Sequence, residues 1–558
     1  MTVFAAPAPA SPRNVRVHAP PLGVLGWSAL TIAVLVGLPI AVVVANVFAP
    51  GESSWSHLVH TVLPGYVANT LGLMLGVAAG VASMGVLSAW LVTAYRFPGH
   101  RMLEWALLLP LAMPAYVMAY AYTDWLQFAG PVQSALRAVT GWQVREYWFP
   151  DVRSLPGAIA MFSFALYPYV YLLARTAFLN QSRAALEAGR LLGYGRWGSF
   201  FNVALPLARP AIAAGVALAL METLADFGTV SYFAVQTFTT GIFRAWQSLQ
   251  DKVAAAQLAT CLLGFVALVL LVERLSRGRA RYHHTASRAP VLPQRLQGAA
   301  AALACAACTA PIVFGFLLPA GILLKLVLTE PEAQWTARIG VLAFNSFTLA
   351  GVTAMVTVGI ATVLAYAGRL TKRPLVVFAN RMAGLGYAMP GAVIAVGILF
   401  PLGRLDNLLA DWVNAQFGVR MGLLLTGTIV ALVYAYLVRF LAIALQSMDA
   451  GLARITPSME DAARSLGATP AATLARVHAP MLSGSLLTAA LLVFVDVMKE
   501  LPATFALRPF NFDTLAIEAY NLTKDERLAE AAAPALLIVA VGLIPLILVS
   551  LRIARERR

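Results

Sequence analysis

The 558-residue chain is predicted to be an all-α, polytopic membrane protein of about twelve transmembrane helices in two pseudo-symmetric, parallel repeats of six. Three observations predict it. The chain is 60% hydrophobic and only 12% charged, too little polar surface to cover a soluble globule of this size. Apolar runs of the roughly 20 residues that a helix needs to cross a bilayer recur along nearly its whole length. The two halves can also be laid over one another, as described below.

The predicted spans fall at residues 22–48, 67–95, 102–127, 155–174, 207–235, 253–273, 300–328, 345–368, 375–402, 421–438, 481–506 and 531–551. Ahead of them, residues 1–21, rich in Ala and Pro with Arg13 and Arg16, read as a disordered cytoplasmic tail; the apolar run that follows is too long for a cleavable leader. With that tail inside, the cytoplasmic segments carry more than twice as many Lys and Arg as the external ones. This is the bias that retains loops on the inner side, so both termini are expected to be cytoplasmic. The same bias accounts for the net charge of +15 and leaves no reason to invoke nucleic acid as a partner. Cys261, Cys305 and Cys308 all lie within predicted spans, where no loops exist to staple, and read as small packing residues.

At an offset of 276, Asn69 aligns with Asn345, Ala89-Trp90 with Ala365-Tyr366, and Met113-Pro114 with Met389-Pro390. Further on the offset becomes 274, pairing Gly193 with Gly467, Pro206 with Pro480, Asp226 with Glu500 and Thr240 with Thr514. An internal duplication of half the chain marks a pseudo-symmetric transporter. Six spans per half is an even number, so the second half enters the membrane in the same orientation as the first. The halves are residues 22–273 and 299–558; the connector 274–298, with Arg274, Arg277, Arg279, Arg281, Arg288 and Arg295, reads as a solvated cytoplasmic linker. His283 and His284 on it are assigned no role.

Each half carries one polar loop of identical spacing, an acid six residues before a glycine and a proline thirteen after it: Glu187, Gly193, Pro206 and Asp461, Gly467, Pro480. Both begin with an amphipathic stretch and break at glycine, where the backbone can turn without strain. Two such knobs, related by an axis along the membrane normal, suit a two-fold symmetric partner. The spacing resembles the EAA loop of binding-protein-dependent ABC importer permeases. Glu187-Ala188-Gly189, Gly193, Val203 and Leu205-Pro206 match it in the first half, and Asp461-Ala462-Ala463, Gly467, Val477 and Ala479-Pro480 in the second. Gly189, Asp461 and Ala479 depart from the pattern.

That resemblance implies a type I permease whose loops insert coupling helices, around Glu187, Ala188, Gly193 and Asp461, Ala462, Gly467, into an ABC ATPase dimer. None of the five lysines follows a glycine, so the GK of a phosphate-binding loop is absent. The chain is therefore expected to hold no cofactor and to perform no bond-breaking chemistry, with ATP bound by the partner subunit. Residues 224–246 and 498–516 further resemble fused permeases of ferric-iron importers, which implies a periplasmic ferric-binding protein as donor. Related permeases carry thiamine, phosphonates or polyamines, and an ion-coupled secondary transporter would also carry intramembrane acids.

Acids within a bilayer are costly and usually face the bundle interior or water. Glu222 and Asp226, and Asp496 and Glu500, stand at i, i+4 in equivalent places of the two halves and are the candidates for the translocation path. Hard oxygen ligands suit a hard cation, in transient contact and without a tightly bound metal. The competing reading pairs them with Lys499 or uses them to cap unwound backbone, holding the halves in register. Tyr167, Tyr169, Tyr171, Tyr434 and Tyr436 are read as packing and interface residues.

Overall fold

The structure is a computed structural model; it describes residues 23–556 apart from 47, 49–54, 144–145, 182–188, 190, 278–293, 332–335, 372 and 420–421. Eleven helices among the described residues are long and apolar enough to cross a membrane, and a pair bent at 91°, His100–Ala112 with Ala115–Thr140, brings the number to twelve when counted as one span. Their order follows the predicted spans. The only strand pairing among the described residues is a two-residue parallel bridge, Tyr95–Arg96 with Gln294–Arg295, which ties the end of the connector to the first half.

Proline decides where two predicted spans break. Pro114 and Pro390 lack a donor N–H and push the preceding Met113 and Met389 into extended backbone, so neither 102–127 nor 375–402 is one continuous helix. In the first half the two segments meet at 91°. In the second, Pro374–Ala383 and Gly391–Phe417 are separate helices.

Predicted spans 207–235 and 481–506 are also shorter than expected. The helices end at Ala225 and Met498, and short helices, Gly228–Tyr232 and Pro502–Leu507, follow each break. Other spans are longer. Leu155–Leu179, Ala337–Thr371 and Ile429–Leu452 run on past Arg175, Arg369 and Arg439, and Lys252–Arg277 runs into the expected linker. Residues 278–293 of that linker, with His283 and His284, lie outside the described residues.

The duplication recurs in detail. Asn69 donates to Gln236 O at 2.9 Å, and Asn345 to Asp513 O at 3.1 Å. Each preceding helix is entered through a π-helical turn, Phe200–Ala204 or Leu474–His478. One sequence pairing is corrected. The counterpart of Thr514 is Thr237, since these two begin equivalent helices, whereas Thr240 is the third residue of its helix and bonds back to Thr237 N. The second half has a loop three residues longer before that helix, closed by an Arg508–Asp513 ion pair.

The opening helix of each half packs on the other half. Val24–Asn46 lies against Pro374–Ala383 and Gly391–Phe417, while Gly298–Thr329 lies against the Ala115–Leu126 and Leu155–Leu179 region. One tyrosine hydrogen bond runs in each direction, Tyr434 Oη to Leu35 O and Tyr122 Oη to Phe314 O, both at 2.6 Å. Contact is close because Gly397 meets the backbone of Pro39; a Cβ there would sit 2.3 Å from Pro39 O. Small residues let helices in lipid approach to this distance. Gly397→Val is therefore expected to cost about 2 kcal/mol, seen as a lower melting temperature of the detergent-purified protein, whereas Gly403→Val, with open space around its Cβ, should melt like the parent.

Candidate coupling loops and translocation site

In the second-half loop, Thr456-Pro457 opens a helix, Pro457–Ser465, with Glu460 in its first turn and Arg464 in its last, favourable ends for both charges. Gly467 closes it at φ +80°. Gly467 N donates to Arg464 O at 2.9 Å and Ala468 N to Ala463 O at 3.0 Å. These are the two bonds that close a helix through a left-handed residue. In the first half Gly193 has φ +82° and Tyr194 N donates to Gly189 O at 3.1 Å, the same bond 274 residues earlier.

Asp461 and Ala462 are exposed on the second loop, Asp461 only loosely paired with Arg464 at 3.8 Å. Glu187 and Ala188 lie outside the described residues. Exposed Leu191, Leu192, Tyr194 and Trp197 on the first loop, and Met459 and Leu466 on the second, make both loops apolar knobs as well as polar ones.

All four intramembrane acids reach one cavity of about 110 Å³ between the halves, lined also by Tyr116, Tyr169, Arg439 and Lys499. They are not equivalent. Because the helix ends at Ala225, Asp226 stands off it in extended backbone, and its carboxylate accepts from Thr229 N at 2.9 Å, Val230 N at 3.3 Å and the Thr229 hydroxyl at 3.1 Å. Glu500 repeats this one half later, accepting from Ala503 N at 3.0 Å, Thr504 N at 3.1 Å and the Thr504 hydroxyl at 3.0 Å. Neither pair of acids therefore lies on one continuous helical face. Asp226 and Glu500 cap the short helices that follow the breaks.

Glu222 and Asp496 remain on their helices and face cations. Asp496 sits 2.8 Å from Lys499 Nζ. Glu222 accepts from the Tyr387 hydroxyl at 2.7 Å and lies 3.8 Å from Arg439 Nη2. Nη1 of the same guanidinium donates to Glu500 at 3.2 Å. Arg439, buried in the middle of Ile429–Leu452, thus joins an acid of the first half to one of the second. Tyr116 adds another link between halves by donating to Lys499 O at 3.3 Å. Among the described residues no three His, Cys, Asp or Glu side chains are grouped to hold a metal ion.

On the side of this cavity away from the loops, Phe227, Phe243, Phe505 and Tyr520 form an aromatic layer drawn from both halves, with ring centroids 4.2–5.6 Å apart. Tyr169 alone of the five sequence-selected tyrosines lines the cavity. Tyr167 and Tyr171 donate to Leu107 O and Glu104 O, and Tyr436 bonds Thr504. The three cysteines are free thiols. Sequence reasoning passed over Arg439 and Tyr387; the signal for the first was an arginine flanked by apolar residues on both sides in YAYLVRFLAIAL.

Two swapped membrane halves, a charged cavity between them and one cap-closed loop on each define the transmembrane body of a transporter. A family model for binding-protein-dependent transport system inner membrane components matches residues 82–281. The chain is 27% identical to the Fe(3+)-transport system permease protein FbpB 2 of Haemophilus influenzae, over 86% of this chain and 88% of that protein. It is 30% identical to the Escherichia coli sulfate transport system permease protein CysT, over 44% of this chain and 88% of the relative. To the E. coli molybdenum transport system permease protein ModB it is 28% identical, over 35% of this chain and 87% of the relative. The chain belongs to the family of binding-protein-dependent transport system inner membrane components. It is a multi-pass inner-membrane protein and the permease component of an ABC importer.

Removing one member of a buried ion pair leaves the other charge uncompensated, at a cost of about 3–5 kcal/mol. Arg439→Gln should lower the melting temperature strongly, and the double change Arg439→Gln with Glu222→Gln should melt higher than the single. At the loop glycines no neighbour obstructs a Cβ, so only the backbone resists substitution. Gly467→Asn, which tolerates positive φ, should retain ATPase association in pull-downs; Gly467→Val and Gly193→Val should lose it while still reaching the membrane.

Proposed function

We propose that the chain moves ferric iron, bare or chelated, from a periplasmic binding protein to the cytoplasm, driven by a separate ABC ATPase dimer. The observation that carries the solute class is the charge of the central cavity. Four carboxylates, Glu222, Asp226, Asp496 and Glu500, face two cations, Arg439 and Lys499. A chamber with an excess of negative charge attracts a cation and repels sulfate or molybdate, the solutes named for relatives that align with about half of this chain or less. The Fe(3+) permease of H. influenzae, by contrast, aligns over both halves. A cation would be passed along transiently, because a fast pathway avoids a site that traps its ion.

In this reading residues 22–273 and 299–558 are the moving halves, residues 274–298 join them in the cytoplasm, and both termini are cytoplasmic. Glu187, Ala188, Gly193 and Asp461, Ala462, Gly467 form the ATPase contacts. ATP binding by the partner draws the loops together, and the halves rock to open the cavity outward; hydrolysis resets them. Binding energy from nucleotide shifts a conformational equilibrium, and the permease itself breaks no bond. Glu222 and Asp496 make the transient contacts with the cation. Asp226 and Glu500, held by their caps, keep the breaks in register.

The test is ATP-dependent uptake by the complex reconstituted in proteoliposomes with candidate binding proteins, offering ferric iron, molybdate, sulfate and thiamine in turn. Ferric uptake is expected; transport of only another solute sinks the iron assignment, and uptake driven by a proton or sodium gradient without the ATPase sinks the coupling. Glu222→Gln with Asp496→Asn should reduce uptake per assembled complex roughly tenfold, about 1.4 kcal/mol in barrier. Asp226→Asn with Glu500→Gln should instead reduce assembly and uptake together.

A further inference from the structure

The second loop is fastened to the membrane body through one arginine. In the second half, Arg369 at the end of Ala337–Thr371 reaches Glu460 Oε1 with Nε at 3.0 Å and Nη2 at 2.7 Å. Its Nη1 donates to Leu452 O at 2.7 Å and its Nη2 to Ile455 O at 2.8 Å. Glu460 also lies 3.3 Å from Nε2 of buried His478, whose Nδ1 shares a 2.7 Å hydrogen bond with the Tyr366 hydroxyl. His478 is in the π-turn that enters the Ala479–Met498 helix. One guanidinium therefore locks the loop helix Pro457–Ser465 to the ends of two spans, and the Tyr366–His478 bond ties the entry of a third span to the first of them. A planar fork of charge-assisted bonds fixes direction as well as distance.

The described residues of the first half show other contacts at the equivalent places. At the aligned positions, Arg369 is replaced by Thr93, Glu460 by Leu186 and His478 by Ala204. Trp90, in the place of Tyr366, instead packs its ring on Phe200 at 5.0 Å and Phe178 at 5.3 Å, with Trp197 of the loop against Phe200 at 6.4 Å.

We infer that Arg369 is a positioning residue through which the second loop transmits motion. The inference rests on the proposal that both loops contact the ATPase. A push on the Pro457–Ser465 helix moves its three spans as one body.

The experiment uses the full permease with its ATPase and loaded binding protein in proteoliposomes, measuring solute imported per ATP hydrolysed. Arg369→Gln is expected to lower that ratio roughly tenfold with ATPase co-purification unchanged. Glu460→Gln, which keeps the shape of its partner, should lower the ratio in the same direction. The double variant should be no worse than the poorer single, as for residues acting through one contact. Arg369→Lys, which keeps the charge and loses the fork, should fall between. Trp90→Leu should leave the ratio within about twofold. An unchanged ratio in Arg369→Gln overturns the inference, as does a loss of assembled complex equal to the loss of uptake in both Arg369→Gln and Glu460→Gln. An equal fall of the ratio in Trp90→Leu overturns the assignment of this role to Arg369. If the parent permease fails to bind the ATPase through these loops, the underlying loop assignment fails instead, and the unvaried complex shows it.

Discussion

An arginine in the middle of a bilayer has to be neutralised by the protein around it, and the architecture at the centre of this permease follows from how Arg439 is. Its guanidinium lies between Glu222 of one half and Glu500 of the other, 3.8 and 3.2 Å away. Charge buried in lipid is tolerated only when it faces the interior and is paired. Once Arg439 is placed there, the two halves must meet at this level, and Glu222 must stay on its helix to reach across. The Tyr387 hydroxyl completes the Glu222 carboxylate from the second half as well. The seam that must open for transport is thus the seam where charges compensate each other.

The breaks in the helices make this arrangement possible. A continuous helix through residues 205–235 or 479–506 would carry its acids on a smooth cylinder with every N–H already bonded internally. Ending at Ala225 and Met498 frees donors at the start of the next short helix, and Asp226 and Glu500 take them. Irregular backbone at membrane depth is allowed only where it is buried in protein or lines a cavity, and both conditions hold here. Duplication then explains why the same device appears twice, with an acid, a break and a capped helix in each half.

Much of this was legible in the sequence. Repeated apolar runs and the two offsets revealed twelve spans, and the paired loops stood out by spacing, because glycine at positive φ and proline at a helix start are demands of local backbone that no other residue meets as well. Long-range pairing was not legible. The predicted spans ended at residues 174, 368 and 438, each one residue before an arginine. In the fold all three helices continue, because Arg175, Arg369 and Arg439 pair with Glu104, Glu460 and Glu222 from elements distant in the chain. Hydropathy treats an arginine as a boundary; only a partner supplied by tertiary structure makes it an interior residue. The helical spacing of Glu222 with Asp226 misled for a related reason, since the helix ends between them.

These buried pairs also bear on how the proposed cation pathway stays shut without losing its attraction for a cation. While the halves are together, Glu222 is satisfied by Arg439 and Tyr387, and the aromatic layer of Phe227, Phe243, Phe505 and Tyr520 closes the side away from the loops. Parting the halves separates Glu222 from both partners, because they belong to the other half, whereas Glu500 keeps Arg439 and its caps, which lie in its own. The motion that opens the cavity is therefore the motion that uncovers a carboxylate. In the proposed cycle an arriving cation replaces a guanidinium that has just withdrawn, and closure returns the guanidinium and displaces the cation. Attraction and release then come from one geometric change, which requires the charges on the two halves to be unequal even though the backbone is duplicated. The single arginine at 439, opposite alanine at the aligned position 165, supplies that inequality.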